Sequence, residues 1–241
     1  MFILLNISVL HTLIYILAAV LPAVFLMRYI YSKDQADKEP PALLRKLVLL
    51  GMASAGVALV IELLWDNFLI PNIAFANTTQ YAIVSALLVG ITEEGCKLFF
   101  LYKSTWNNPN FNYRYDGVVY AVFVSLGFAL LENIMYVFSY GLSVALSRAL
   151  LAVPAHMGFA VFMGSFYGRA KIQEVRYSNG GKTINLILGY VTAVFLHTFY
   201  DAAAMIGSDV SAVVYILFVV IMYVVVYLRI RKEANEDRPI Y

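Results

Sequence analysis

Polar and apolar positions separate along this chain into long apolar blocks and short polar breaks. A helix needs about 20 predominantly apolar residues to cross the hydrocarbon core of a bilayer. About seven blocks reach that length: Ile7–Tyr29, Leu44–Trp65, Gln80–Tyr102, Gly117–Tyr140, Arg148–Gly168, Ile184–Ile206 and Ser211–Leu228. Between them, Ser32–Pro41 is polar and ends in Pro-Pro, and Asn107-Asn108-Pro109-Asn110 and Asn179-Gly180-Gly181 carry turn chemistry. The pattern predicts an all-α, polytopic transmembrane helical bundle. The connections are short, so residues 1–241 are expected to form one integral membrane domain. The apolar run from Met1 to Met27 has no basic segment before it. It outlasts the apolar region of about 7–15 residues typical of a signal peptide, and it is read as a first span kept in the mature chain.

Composition points the same way. Of the 241 residues, 62% are hydrophobic and 13% charged, where a soluble domain has about 25% charged; mean hydropathy is +0.77. A net charge of +2 with no basic cluster gives no basis for a nucleic-acid partner. The single cysteine, Cys96, excludes an internal disulfide and any multi-cysteine metal site. Lys and Arg set orientation. They fall in the break after block one (Arg28, Lys33, Lys38, Arg45, Lys46), after block three (Lys103, Arg114), after block five (Arg169, Lys171, Arg176, Lys182) and at the C-terminus. The opposite side has only Arg148, expected to snorkel from a span end. The N-terminus is therefore expected outside and the C-terminus in the cytoplasm.

Ionisable groups deep in an apolar span are functional candidates. Block three holds Glu93, Glu94 and Lys97; block four Glu132; block five His156; block six His197 and Asp201. Glu62 and Asp66 lie near the outer end of block two, where solvation is easy, and carry less weight. At 1.5 Å per residue, Glu132 and His156 lie about 12 Å, His197 about 14 Å and Glu93 roughly 20 Å from the outer ends of their helices. These depths allow one cluster. Adjacent Glu93 and Glu94 point about 100° apart, so one can face a cavity while the other meets a neighbouring helix. Lys97 can pair with either, and Asp201 shares a helical face with His197. Such a set permits hydrolysis in two ways. Two imidazoles and a carboxylate could hold a divalent metal such as zinc and leave a position for water. Alternatively, a carboxylate could deprotonate water while His or Asp stabilises the oxyanion.

Glu93-Glu94-x-x-Lys97, Phe128-x-x-x-Glu132, His156 among small residues and His197-x-x-x-Asp201 resemble the PrsW-type intramembrane proteases, relatives of the CAAX prenyl endopeptidase (Abi) superfamily. Asp116-Gly117-Val118-Val119-Tyr120, the stretch Leu126–Asn133 and Arg148-Ala149-Leu150 share that likeness, which runs from block three to block six. The resemblance implies an endopeptidase of the bacterial cell membrane with its catalytic core at about 80–206. It implies a membrane-spanning protein as substrate, with site-1 cleavage of an anti-sigma factor as the family's named activity. By the same resemblance Glu93 is the water-activating base and Glu94 its partner. Glu132, His156 and His197 become metal ligands or oxyanion stabilisers, and Asp201 a supporting acceptor. The CAAX endopeptidases have His where this chain has Glu132, which leaves metal-dependent and metal-free glutamate mechanisms both open.

Other chemistries are less well served. No His-Glu-x-x-His, Gly-x-Ser-Gly or Gly-x-Gly-Asp occurs. A proton-coupled transporter or channel is the alternative for an Asp/Glu/His set, but it predicts paired broken helices in two halves of the chain. His11 is read as structural or interfacial, and Gly164-x-x-x-Gly168 as a close helix contact.

Overall fold

A computed structural model describes the backbone of residues 2–241 and the side chains from Val9 onward; Met1, where the first apolar run begins, lies outside the described residues. Seven long helices form: α1 (Phe2–Lys33), α2 (Pro41–Leu64), α3 (Thr78–Thr105), α4 (Asp116–Tyr140), α5 (Val153–Val175), α6 (Asn179–Met205) and α7 (Asp209–Asn235). No strand occurs among the described residues; an isolated bridge pairs Tyr113 with Pro239.

Polar residues in the breaks start and stop the helices. The Asn77 side chain accepts the Gln80 amide at 2.8 Å and opens α3, while Ser208 and Ser211 cap one another's backbone at the start of α7. Pro41 stands in the first turn of α2, where its missing N–H costs nothing. Gly141 ends α4 at φ +80°, a conformation that side chains resist.

Six helical segments are long and apolar enough to cross a membrane: all of these helices except α3. The exception has a cause, since Glu93, Glu94 and Lys97 all sit in α3. The predicted fifth block differs from the structure most. Leu142–Val144 is 3₁₀, Ala145–Ser147 a short α-turn and Arg148–Ala152 a π-turn before α5 begins. The π-turn widens the backbone just ahead of Pro154, which cannot donate to it.

The core forms around α4, which packs against α1, α2, α3 and α5. In its most apolar stretch 78% of residues are buried, against 17% for α7 at the periphery. Two glycine contacts set this spacing. A Cβ at Gly127 of α4 would strike the Val48 carbonyl of α2, and one at Gly164 of α5 would lie 2.6 Å from Val118 Cα of α4. Backbones thus approach closely where water gives no hydrophobic drive between helices, and the Gly164/Gly168 pair is such a contact. The outer faces keep large apolar side chains such as Phe25, Phe195 and Val210 exposed, as a lipid-facing surface requires.

At the basic end, the C-terminal tail ties down the α3–α4 loop. Arg114 N–H donates to the Arg238 carbonyl at 3.1 Å and Ile240 N–H to that of Asn112 at 2.8 Å. Buried Glu233 pairs with Arg114 and Arg229, each at 2.9 Å.

Candidate active site

Lys97 and its partners form the buried centre. Helical spacing brings Lys97 Nζ to 3.1 Å from Glu93 Oε2 and 2.7 Å from Glu94 Oε1. The lysine pairs with both glutamates rather than one. Its ammonium also lies 3.1 Å from His156 Nδ1 and 4.1 Å above the Phe128 ring. The two glutamates diverge as their helical offset requires. Glu93 lines a cavity of about 490 Å³, whereas Glu94 is wholly buried and reaches His197 Nδ1 of α6 at 2.9 Å.

The histidines are fixed by carboxylates. An ammonium can only donate, so His156 Nδ1 accepts from Lys97, and its Nε2–H donates to Glu132 at 2.9 Å. Ser125 donates to the His156 carbonyl at 2.9 Å, holding α4 and α5 in register. His197 Nε2 lies 3.3 Å from Asp201 Oδ2 and 3.8 Å from Glu93 Oε2. Phe159 stacks on His197 with ring centroids 4.9 Å apart.

All six candidate residues therefore lie in one connected network. Glu93, Glu132, His156, His197 and Asp201 line the cavity, and Glu94 lies behind it. Of the predicted metal trio Glu132, His156 and His197, the two histidines share a tight group with Glu93 and Glu94. Ligand atoms of these four lie within 4.8 Å of one another, and all four residues are buried. Glu132 stands one step out, between His156 and Arg148. Two imidazoles and two carboxylates are a donor set zinc accepts. Glu94 Oε2 is buried without a hydrogen-bond partner, as a waiting ligand atom would be. The donor types fit a divalent metal, and the Lys97 ammonium, which contacts Glu93, Glu94 and His156, is the cation such an ion would displace.

Two residues proved more central than their sequence positions suggested. Arg148 does not snorkel. Its Nη2 lies 3.0 Å from Glu132 and its Nε donates to Asn133 at 2.9 Å, and Asn133 in turn donates to the Ala19 carbonyl of α1 at 2.8 Å. Glu62 lines the cavity too, with Oε1 buried and unpartnered. Its acidic type was visible in the sequence, but the turn of α2 that aims it inward was not. Asp66 and His11 remain exposed, away from this network.

A helical bundle with a buried carboxylate–imidazole cluster at the wall of a cavity defines a polytopic membrane protein with a candidate catalytic centre among its helices. Residues 39–228 match the family model described as PrsW family intramembrane metalloprotease. The chain belongs to the PrsW family and is an intramembrane protease. It is 29% identical to Protease PrsW of Clostridioides difficile over 93% of each chain. It is 32% identical to Protease PrsW of Halalkalibacterium halodurans over 92% of this chain and 97% of that one. With Protease PrsW of Bacillus subtilis it shares 34% identity over 76% of this chain and 79% of the other. No solved structure matches the chain. Membership of a protease family leaves the transporter alternative without support.

Proposed function

We propose that this protease hydrolyses a peptide bond of a membrane-spanning protein with water activated by Glu93, in a single domain whose catalytic core spans about residues 80–206. The observation that carries the reading is the position of Glu93: on the cavity wall, 3.1 Å from Lys97 and 3.8 Å from His197 Nε2. Glu93 takes the proton from water as the hydroxyl adds to the scissile carbonyl, and returns it to the amide nitrogen as the C–N bond breaks. Lys97 steadies both glutamates before and after that transfer. His197, held by Glu94 on Nδ1, turns its Nε2–H from Asp201, 3.3 Å away, to the developing oxyanion. Glu132 fixes the His156 tautomer, and Arg148 holds Glu132. Glu94, His156 and His197 would hold a divalent metal such as zinc and leave Glu93 beside it as the base; when bound, the ion would supply Lewis-acid polarisation of water and carbonyl.

The substrate we infer is a membrane-spanning anti-sigma factor, cut on its extracytoplasmic side in the bacterial cell membrane. The N-terminus is then outside and the C-terminus cytoplasmic. The segregation of Lys and Arg supports that orientation, as does the family likeness. The test is cleavage of a single-span anti-sigma substrate by purified protein in detergent. Glu93→Gln should lower kcat about 10²–10⁴-fold with little change in KM. Wild-type rates in that variant would remove Glu93 from the mechanism.

A further inference from the structure

A peptide bond inside a membrane helix is shielded by its own hydrogen-bonded turn, so a protease of this kind must receive its substrate locally unwound. Unwinding frees backbone N–H groups in a site with little water, and each needs an acceptor. The acidic side chains of this cavity differ in what they already hold. Glu93 has one oxygen engaged by Lys97, Asp201 one by His197, and Glu132 one shared by His156 and Arg148. Glu62 differs. It faces the same cavity from α2, its Oε1 is buried, and no donor reaches that oxygen among the described residues. A carboxylate without a donor is costly to maintain at this depth, and this side chain stands on the wall of the cavity that a substrate would enter.

We propose that Glu62 is a substrate-binding residue, whose carboxylate receives a backbone N–H of the unwound substrate segment beside the scissile bond. This inference rests on the hydrolytic reading of the cavity given above. Position favours it. Glu62 and Glu93 come from neighbouring helices, α2 and α3, and line one cavity, so an extended segment lying between α2 and α6 presents its carbonyl to Glu93 and its amide to Glu62. Glu62 thus contributes to holding the extended form of the substrate, while the proton transfer stays with Glu93.

The experiment is an ester scan. Synthetic single-span substrates are made with one backbone amide at a time replaced by an ester, which removes the N–H and keeps the chain. Cleavage is followed for wild type, Glu62→Ala, Glu62→Gln and Glu93→Gln. In wild type one ester position near the cleaved bond should raise KM about tenfold, the size of one hydrogen bond to a charged group. Glu62→Ala should raise KM similarly on the all-amide substrate and become insensitive to the ester at that position, with esters elsewhere acting as in wild type. Glu62→Gln, which keeps the side-chain shape and a weaker acceptor oxygen, should show a reduced penalty at the same position. It carries the test if the alanine variant fails to fold. An ester penalty at every position unchanged by either Glu62 variant overturns the proposal. Cleavage that is insensitive to Glu93→Gln overturns the hydrolytic reading instead, so the two failures are distinct.

Discussion

Replacing Lys97 by Met tests the centre of the site most directly. Methionine matches the length of the lysine stem and removes only the charge and its donors. Lys97 is 2% exposed and its ammonium meets Glu93 at 3.1 Å, Glu94 at 2.7 Å and the Phe128 ring at 4.1 Å. Removing one partner of a buried ion pair costs about 3–5 kcal/mol, because the other charge stays buried and unpaired. Here His197 still reaches Glu94 at 2.9 Å. We therefore expect a loss at the low end of that range, about 3 kcal/mol. Unfolding in mixed micelles with increasing denaturing detergent measures it. Adding Glu94→Gln should restore part of the loss, since the amide keeps a hydrogen bond to His197 without a buried charge. The two substitutions should then couple by about 1–2 kcal/mol. A Lys97→Met protein within about 0.5 kcal/mol of wild type, or strict additivity in the double variant, would show that the lysine does not compensate these glutamates.

Three further outcomes follow from the geometry. Gly127→Ala pushes a Cβ into the Val48 carbonyl and should cost about 1–3 kcal/mol in the same assay, whereas Gly56→Ala, with nothing within 4 Å of the new atom, should be close to neutral. Glu132→Gln loosens the carboxylate that fixes His156, and zinc affinity measured by competition with a fluorescent chelator should fall about 10–100-fold; unchanged affinity would argue against His156 as a ligand. In the α1–α2 loop, outside the spans, burial pushes the Glu39 carboxyl up from 4.5 to about 7, opposed by the hydrogen bond from Tyr120 and reinforced by Asp34 and Asp37. The folded state then holds that proton more tightly than the unfolded chain. Its contribution is full below about 4.5 and lost as pH rises to about 7. Melting midpoints should accordingly fall between pH 4.5 and 7 by more in wild type than in Glu39→Gln, and equal slopes would refute the assignment.

Much of this architecture could be read from the chain because membrane helices announce themselves by length and apolarity. The break at Asn107–Asn110 falls between helices, and that at Ser32–Pro41 does so apart from its ends, since Ser32 closes α1 and Pro41 opens α2; the close contact at Gly164 and Gly168 also lies between helices. Within the site, i, i+3 and i, i+4 spacing was enough to link Glu93, Glu94 and Lys97 on one helix and His197 with Asp201 on another. Contacts between helices were out of reach, because they depend on rotation about each axis. Nothing local indicates that Glu94 turns to His197 while Glu93 turns to the cavity, or that Arg148 points inward to Glu132. At the end of an apolar block, snorkelling is the expectation for Arg148. Instead it opens the π-turn at Arg148–Ala152 and points to Glu132.

The same rotations explain why α3, the long helix that falls short as an apolar span, can be kept in a membrane bundle. Its cost lies in Glu93, Glu94 and Lys97, and three neighbours answer it: α6 brings His197 to Glu94, while α5 brings His156 and α4 brings Phe128 to Lys97, which in turn pairs with Glu93. Those neighbours are held in turn, His156 by Glu132, Glu132 by Arg148, and Arg148 by an asparagine bonded to α1. The polar network therefore extends from the reacting carboxylate to a helix with no part in the chemistry. Truncating Asn133 to Ala removes the link to α1 without altering any side chain that lines the cavity. It should lower kcat through a loosened Arg148–Glu132–His156 chain, by less than loss of Glu93 does and with KM little changed. A rate equal to wild type would mean that Glu132 and the π-turn alone hold His156.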